Sequence, residues 1–170
     1  AVGGTPTSAV KAGTAGVPMT LAMLGGDSSY FKRTIDVYRQ SAKSNGFDPS
    51  TLPIATTGLF YAAETTQDAL NESYAYINQG FFLANGRGMP KEFMDQGNDV
   101  HSVLNVGSPQ QIIEKILYQY ELFGHQRYLA QIDLGGVSFD KIAKNVELIG
   151  TEILPAIRKY TARDYEKYNI

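Results

Sequence analysis

The hydrophobic pattern of this chain changes period several times. From Val17 to Leu24 it is almost continuously apolar, bounded by Gly16 and by Gly25-Gly26. That run is too short for an ordinary helix and predicts a buried parallel strand. Thr7 to Ala15 predicts a short helix before it, with Ala9, Ala12 and Gly13 small enough to lie close to a sheet. After it, Phe31, Ile35, Tyr38 and Ala42 fall on one helical face, with Asp27 and Ser28 as candidate N-caps and Asn45-Gly46 as the stop. Ile54 to Ala63, rich in threonine and aromatics, predicts a second strand. Thr65 or Thr66 then caps a helix with Ala69, Leu70, Ser73 and Ile77 on one side.

Regularity lapses from Gln79 to Ser102, where Gly80, Gly86, Gly88, Pro90 and Gly97 alternate with Phe81, Phe82, Met89, Phe93 and Met94. A stretch of this length is either a surface excursion or a segment that covers something. Ser108-Pro109 restarts a helix, as N-cap and first helical residue, with Ile112, Ile113, Ile116, Leu117 and Tyr120 as its apolar face and Phe123-Gly124 at its end. Arg127 to Leu134 predicts the last strand, with Tyr128, Ala130 and Ile132 on one face and Leu129, Gln131 and Asp133 on the other. From Ser138, Ile142, Val146, Ile149, Ile153 and Ile157 mark a long helix, and Tyr160 to Ile170 reads as a charged, aromatic trailing segment.

Strands alternating with helices require parallel pairing through right-handed crossovers. Two architectures satisfy this: an open doubly wound sheet, or part of a (β/α)8 barrel. A complete barrel takes about 250 residues, and this chain has 170. Its opening Ala1-Val2-Gly3-Gly4 reads as the end of a strand, without an initiator Met. A removed Met would explain that start. A truncated or proteolysed chain is the expectation adopted.

Composition narrows the function classes. A net charge of −2 gives no basic excess, which argues against nucleic acid. The absence of cysteine excludes disulfides, zinc–thiolate sites and thiol catalysis, and fits a cytoplasmic protein. No apolar run approaches the roughly 20 residues of a membrane span.

Three groups of residues could carry chemistry. Gly3, Gly4, Thr5 and Ser8 would lie at a strand-to-helix turn, where unpaired N–H groups and the helix dipole favour a phosphate. The same turn capped by Thr5 or Ser8 would need no ligand, and its spacing is neither a phosphate loop nor a dinucleotide fingerprint. Gln131 and Asp133 stand near the C-terminal end of the last strand, where parallel α/β proteins place their sites; a structural hydrogen bond is the competing role. His101 and His125 lack triad or metal spacing, and His101 borders the irregular segment. No acidic cluster has metal-ligand spacing.

Ala1 to Asp27, Phe31 to Arg39, Ala63-Glu64-Thr65, Val106 to Ile116, Gln131-Ile132-Asp133-Leu134-Gly135-Gly136 and Glu147 to Arg158 together resemble the C-terminal half of luciferase-like, flavin-dependent monooxygenases. The resemblance runs through nearly the whole chain in order. It implies the C-terminal half of a (β/α)8 TIM barrel, from the end of strand five to helix eight, as one partial domain over residues 1–170. It implies FMN as cofactor, with the deazaflavin F420 in some branches, and a reduced flavin that uses O2 to oxidise a small organic substrate. Gly4, Thr5 and Ser8, with Gly3 beside them, carry over as flavin-phosphate contacts. Where luciferases of the family have an acidic residue this chain has Gly4, so that contact would be through backbone. The end of the sixth strand, with Leu24 and Gly25, carries over as lying near the flavin. The mobile excursion after the seventh strand corresponds to about 65–102.

The resemblance also implies that four strands, with further flavin contacts and most of the substrate pocket, lie outside this sequence. A half-barrel would expose strand edges and an inner face. These are expected to be covered by the missing N-terminal half-barrel or by a second copy in a homo-oligomer. A non-catalytic flavin-binding or scaffold protein built from a reduced barrel is the alternative.

Overall fold

The computed structural model describes residues 5–168, with side chains to 162. Four strands form one parallel sheet: β1 (Met19–Met23), β2 (Ile54–Ala62), β3 (Asn105–Gly107) and β4 (Arg127–Gln131). β2 is central. β1 pairs with it from Met19↔Ile54 to Met23↔Gly58, and β4 takes its other edge from Ala55↔Arg127 to Leu59↔Gln131. The short β3 pairs with its C-terminal end, Phe60↔Asn105 to Ala62↔Gly107.

The alternation of side chains sorts the helices onto faces. Met19, Leu21, Met23 and Ile54 pack with Ala9, Ile35 and Tyr38 of α1 (Pro6–Thr14) and α2 (Ser29–Ser44). Phe60, Ala62, Tyr128 and Ala130 share that face and meet Ile112 and Ile116 of α4 (Pro109–Phe123). Leu148 of α5 (Phe139–Leu148) and Ile153 join them. On the opposite face Thr20, Ala22, Ala55 and Thr57 are half-exposed, and Leu129 is exposed. Among the described residues only the C-terminal end of this inner face is roofed: Leu59 and Tyr61 lie under Ala69, Leu70 and Ile77 of α3 (Thr66–Asn85), with Met94, Leu134 and Val137. An open doubly wound sheet carries connecting helices on both faces. Sequential parallel strands with α1, α2, α4 and α5 on one face make this half of a (β/α)8 barrel.

Local chemistry sets the element ends. Ser108 accepts from the Gln111 N–H and Pro109 opens α4, while Gly124 closes it at φ +57°. Thr65, not Thr66, caps α3 by accepting from the Asp68 N–H. Asp27, rather than Ser28, bonds the start of α2, accepting from the Ser29 N–H at 2.7 Å.

Several elements differ from the sequence expectation. α3 runs through Gly80 to Asn85, so the irregular stretch begins at Gly86 rather than Gln79. Gly80 breaks no helix; it is a packing position, where a Cβ would collide with the Leu134 carbonyl. Lys91–Asn98 forms a 3₁₀ segment and β3 follows it, where no strand was expected. Gly13 approaches α2 rather than the sheet: a Cβ there would lie 2.5 Å from the Tyr38 carbonyl oxygen. β4 stops at Gln131, and Asp133 belongs to the following turn, accepting from the N–H groups of Gly135 and Gly136. The last helix is interrupted by a π turn over Ile149–Ile153, and the trailing residues continue it as α6 (Leu154–Tyr168). Among the described residues no helix is long and apolar enough to cross a membrane.

Candidate cofactor site at the C-terminal face

In a parallel βα unit each helix begins where the preceding strand ends, so helix N-termini gather at the C-terminal ends of the strands. α1 leads into β1, which puts Thr5 and Ser8 at the same end of the sheet as Leu24 and Gly25. Thr5 is the N-cap of α1 with extended backbone (φ −105°, ψ 134°), but its hydroxyl does not cap the helix. It pairs with the Ser8 hydroxyl at 3.2 Å. Pro6 has no N–H, the first turn carries no acidic residue, and Thr5 and Thr7 are exposed. Among the described residues no side chain caps this first turn, and two hydroxyls stand beside it, which suits an anion. Gly3 and Gly4 lie outside the described residues.

At the end of β1, Leu24 is 44% exposed. Gly25 lies against the edge of the Phe93 ring, where a Cβ would come within 2.7 Å of Cε2. The Gly26 N–H donates to Gln96 Oε1 at 2.7 Å. The 3₁₀ segment thus folds back onto this turn. Gln131 shares the inner face with its partner Leu59. Asp133 does not join it, because its carboxylate serves the turn.

Neither histidine ring joins the Thr5–Ser8 turn or the end of β1. His101 Nδ1 lies 3.0 Å from the Asp99 carboxylate, and its ring stands edge-on to Tyr118 of the outer helix α4. His125 is buried at the other end of α4, and burial pushes its imidazole down to about 4, so it is neutral near pH 7. Among the described residues no group of three or more His, Cys, Asp or Glu could hold a metal.

Two polar arrangements were missed by sequence reasoning. Lys115, fully buried on α4, donates to the carbonyls of Gly97 (2.5 Å), Leu104 (2.8 Å) and Val106 (3.4 Å). Burial lowers its pKa to about 8. Its sequence signal was a lysine beside Ile112 and Ile116 on a buried stripe. Tyr61 on β2 donates to the Glu72 carboxylate of α3 at 2.8 Å, and Lys141 of α5 reaches the same oxygen at 2.5 Å. These bonds hold Glu72 below the ordinary carboxylate range, that from Lys141 foremost, while burial and then Glu72 push Tyr61 up to about 12. This chain of side chains ties α3 to α5.

A cleft of about 720 Å³ lies at the opposite end, between α6 and the N-terminal ends of β1, β2 and β4. Ile116, Ile153 and Ile157 line it with Arg127. The N-terminal end of such a sheet serves stability rather than chemistry, so the C-terminal face remains the candidate.

The luciferase-like monooxygenase family model matches residues 1–126. No curated protein matches the chain. Among solved structures it is similar to monooxygenase RslO1 from Streptomyces bottropensis, with 22% identity, TM-score 0.71, 89% of this chain and 45% of that one covered. It is also similar to the oxygenating constituent of 3,6-diketocamphane monooxygenase from Pseudomonas putida in complex with FMN (21%, TM-score 0.60, 88% and 45%). A third is the coenzyme F420-dependent tetrahydromethanopterin reductase from Methanopyrus kandleri (15%, TM-score 0.62, 91% and 50%). These structures share the fold, and the chain spans about half of their length. With the family model covering most of the sequence, this chain belongs to the luciferase-like monooxygenase family.

Proposed function

We propose that this chain supplies the C-terminal half, from the end of strand five to helix eight, of a flavin-dependent monooxygenase. FMN is the cofactor preferred over F420, since the similar structures include an FMN complex of an oxygenating enzyme alongside an F420-dependent reductase. The observation that carries the reading is the start of α1, exposed, without an acidic residue and without a side-chain cap. It fits a phosphate: the Thr5 and Ser8 hydroxyls and first-turn N–H groups would hold the anion. Gly3 and Gly4 would approach it through backbone. Leu24 and Gly25 would stand by the ring system, with α3 and the 3₁₀ segment keeping water from that side.

When bound, a reduced flavin supplies the electrons with which O2 oxidises a small organic substrate. The chain's own residues position the cofactor. The remaining strands, from the other half-barrel or a second copy, complete the pocket and cover the inner face.

The test is to express the full reading frame and titrate it with oxidised and reduced FMN while following O2 uptake. Saturable FMN binding and flavin-dependent O2 consumption are expected. Absence of both overturns the reading.

A further inference from the structure

The segment after α3 is anchored on both sides. Towards α4, Lys115 holds the Gly97, Leu104 and Val106 carbonyls. Gln111 Nε2 donates to the Asn98 carbonyl at 3.1 Å, and Gln111 Oε1 accepts from Thr66 at 2.7 Å. Towards β1, Gly26 N–H donates to Gln96, Ser28 N–H to the His101 carbonyl at 2.8 Å, and Val103 N–H to the Gly26 carbonyl at 3.0 Å. Met94 and Gly97 are buried. The connection from α3 is tethered as well, since Met89 N–H donates to Asn78 and Tyr74 to the Met89 carbonyl. Opening this segment as a lid would strand a buried ammonium and several backbone groups together, and each unpaired group carries a desolvation cost.

We infer that residues 91–104 are a fixed wall of the C-terminal face, and that Phe93 is the positioning residue of that wall, bounding a planar ring at the end of β1. Phe93 is half-buried, lies against Gly25 and meets Phe81 edge-on with ring centroids 6.1 Å apart. Gly25 is the residue that lets the ring come so close. Phe81, edge-on at 64°, braces the Phe93 ring, so that Phe93 presents a fixed apolar boundary. The ring it bounds is the cofactor's, which rests on the function proposed above.

Two measurements on the full-length protein test this. In hydrogen–deuterium exchange, the amides of Ser102, Val103 and Leu104 are expected to exchange as slowly as those of β2, unchanged by FMN. Exchange within seconds, slowed on adding FMN, would show a moving lid and overturn the wall. In FMN titrations followed by flavin fluorescence, Phe93→Ala is expected to raise Kd about five- to tenfold with circular dichroism unchanged. An unchanged Kd in the folded variant overturns the role of Phe93. Should Phe93→Ala fail to fold, Phe93→Leu keeps most of the volume, loses the flat ring and is read the same way. Failure of the parent to bind FMN removes the functional reading and the role of Phe93 with it, while exchange still decides between wall and lid.

Discussion

Gly80 of α3 and Gly135 after β4 pack backbone against backbone. A Cβ on Gly135 would lie 2.7 Å from the Tyr76 carbonyl and 2.8 Å from the Gly80 nitrogen, and one on Gly80 would collide with the Leu134 carbonyl. Neither neighbour is a flexible side chain that could yield. Gly80→Ala is therefore expected to cost about 1–3 kcal/mol by overpacking, despite alanine's better helix propensity. Urea unfolding of parent and variant measures it. A stabilised variant would show that α3 does not sit this close.

Lys115→Met leaves three carbonyls without their donor. A loss of about 2–4 kcal/mol is expected in the same assay. The pH dependence gives a second readout. The native amine loses its proton near 8 and the unfolded one near 10.5. Between those values the unfolded chain binds more protons, so this group's contribution to stability rises with pH. The parent minus variant difference is expected to grow from pH 8 to 9.5. A flat difference would contradict the depressed value.

His125 titrates in the opposite part of the range. Its native pKa is near 4 against an ordinary 6.5. As pH falls from 6.5 to 4 the unfolded state takes up a proton that the native state refuses. Stability is therefore lost with acidification, by about 3 kcal/mol at most. His125→Gln is expected to flatten that part of the stability profile. Proton NMR of the parent should show the imidazole still neutral at pH 5.

At the start of α1, Ser8→Asp places a carboxylate where the phosphate is proposed to sit. FMN affinity is expected to fall at least about tenfold, since like charges now oppose. Thr5→Ala should weaken binding by a smaller factor. Unchanged affinity in both variants would move the phosphate elsewhere.

Much of the architecture was legible because period and punctuation agreed. The run ending at Leu24 and the Ser108-Pro109 start both announce themselves through local chemistry, which the structure repeats. Gly80 misled because a glycine required by a neighbouring backbone looks, in sequence, like one required by a turn. β3 was invisible because three residues carry no period, and it exists only through pairing with Phe60–Ala62. At the candidate site the Thr5–Ser8 turn could be read from residue types. Lys115 and the Phe93–Gly25 contact could not, since both depend on tertiary partners well separated in sequence.

The central place of β2 sets a schedule for synthesis. Thr57 bonds the Leu129 carbonyl across 72 residues of chain, whereas β1, on the other edge, precedes it. At ordinary translation rates, Ala55-Thr56-Thr57-Gly58-Leu59 waits about 4–14 s for β4, the strand that covers its second edge. Through that interval a strand carrying two β-branched threonines has one unpaired edge. The nascent chain is then most exposed to chaperone capture or to pairing with another copy.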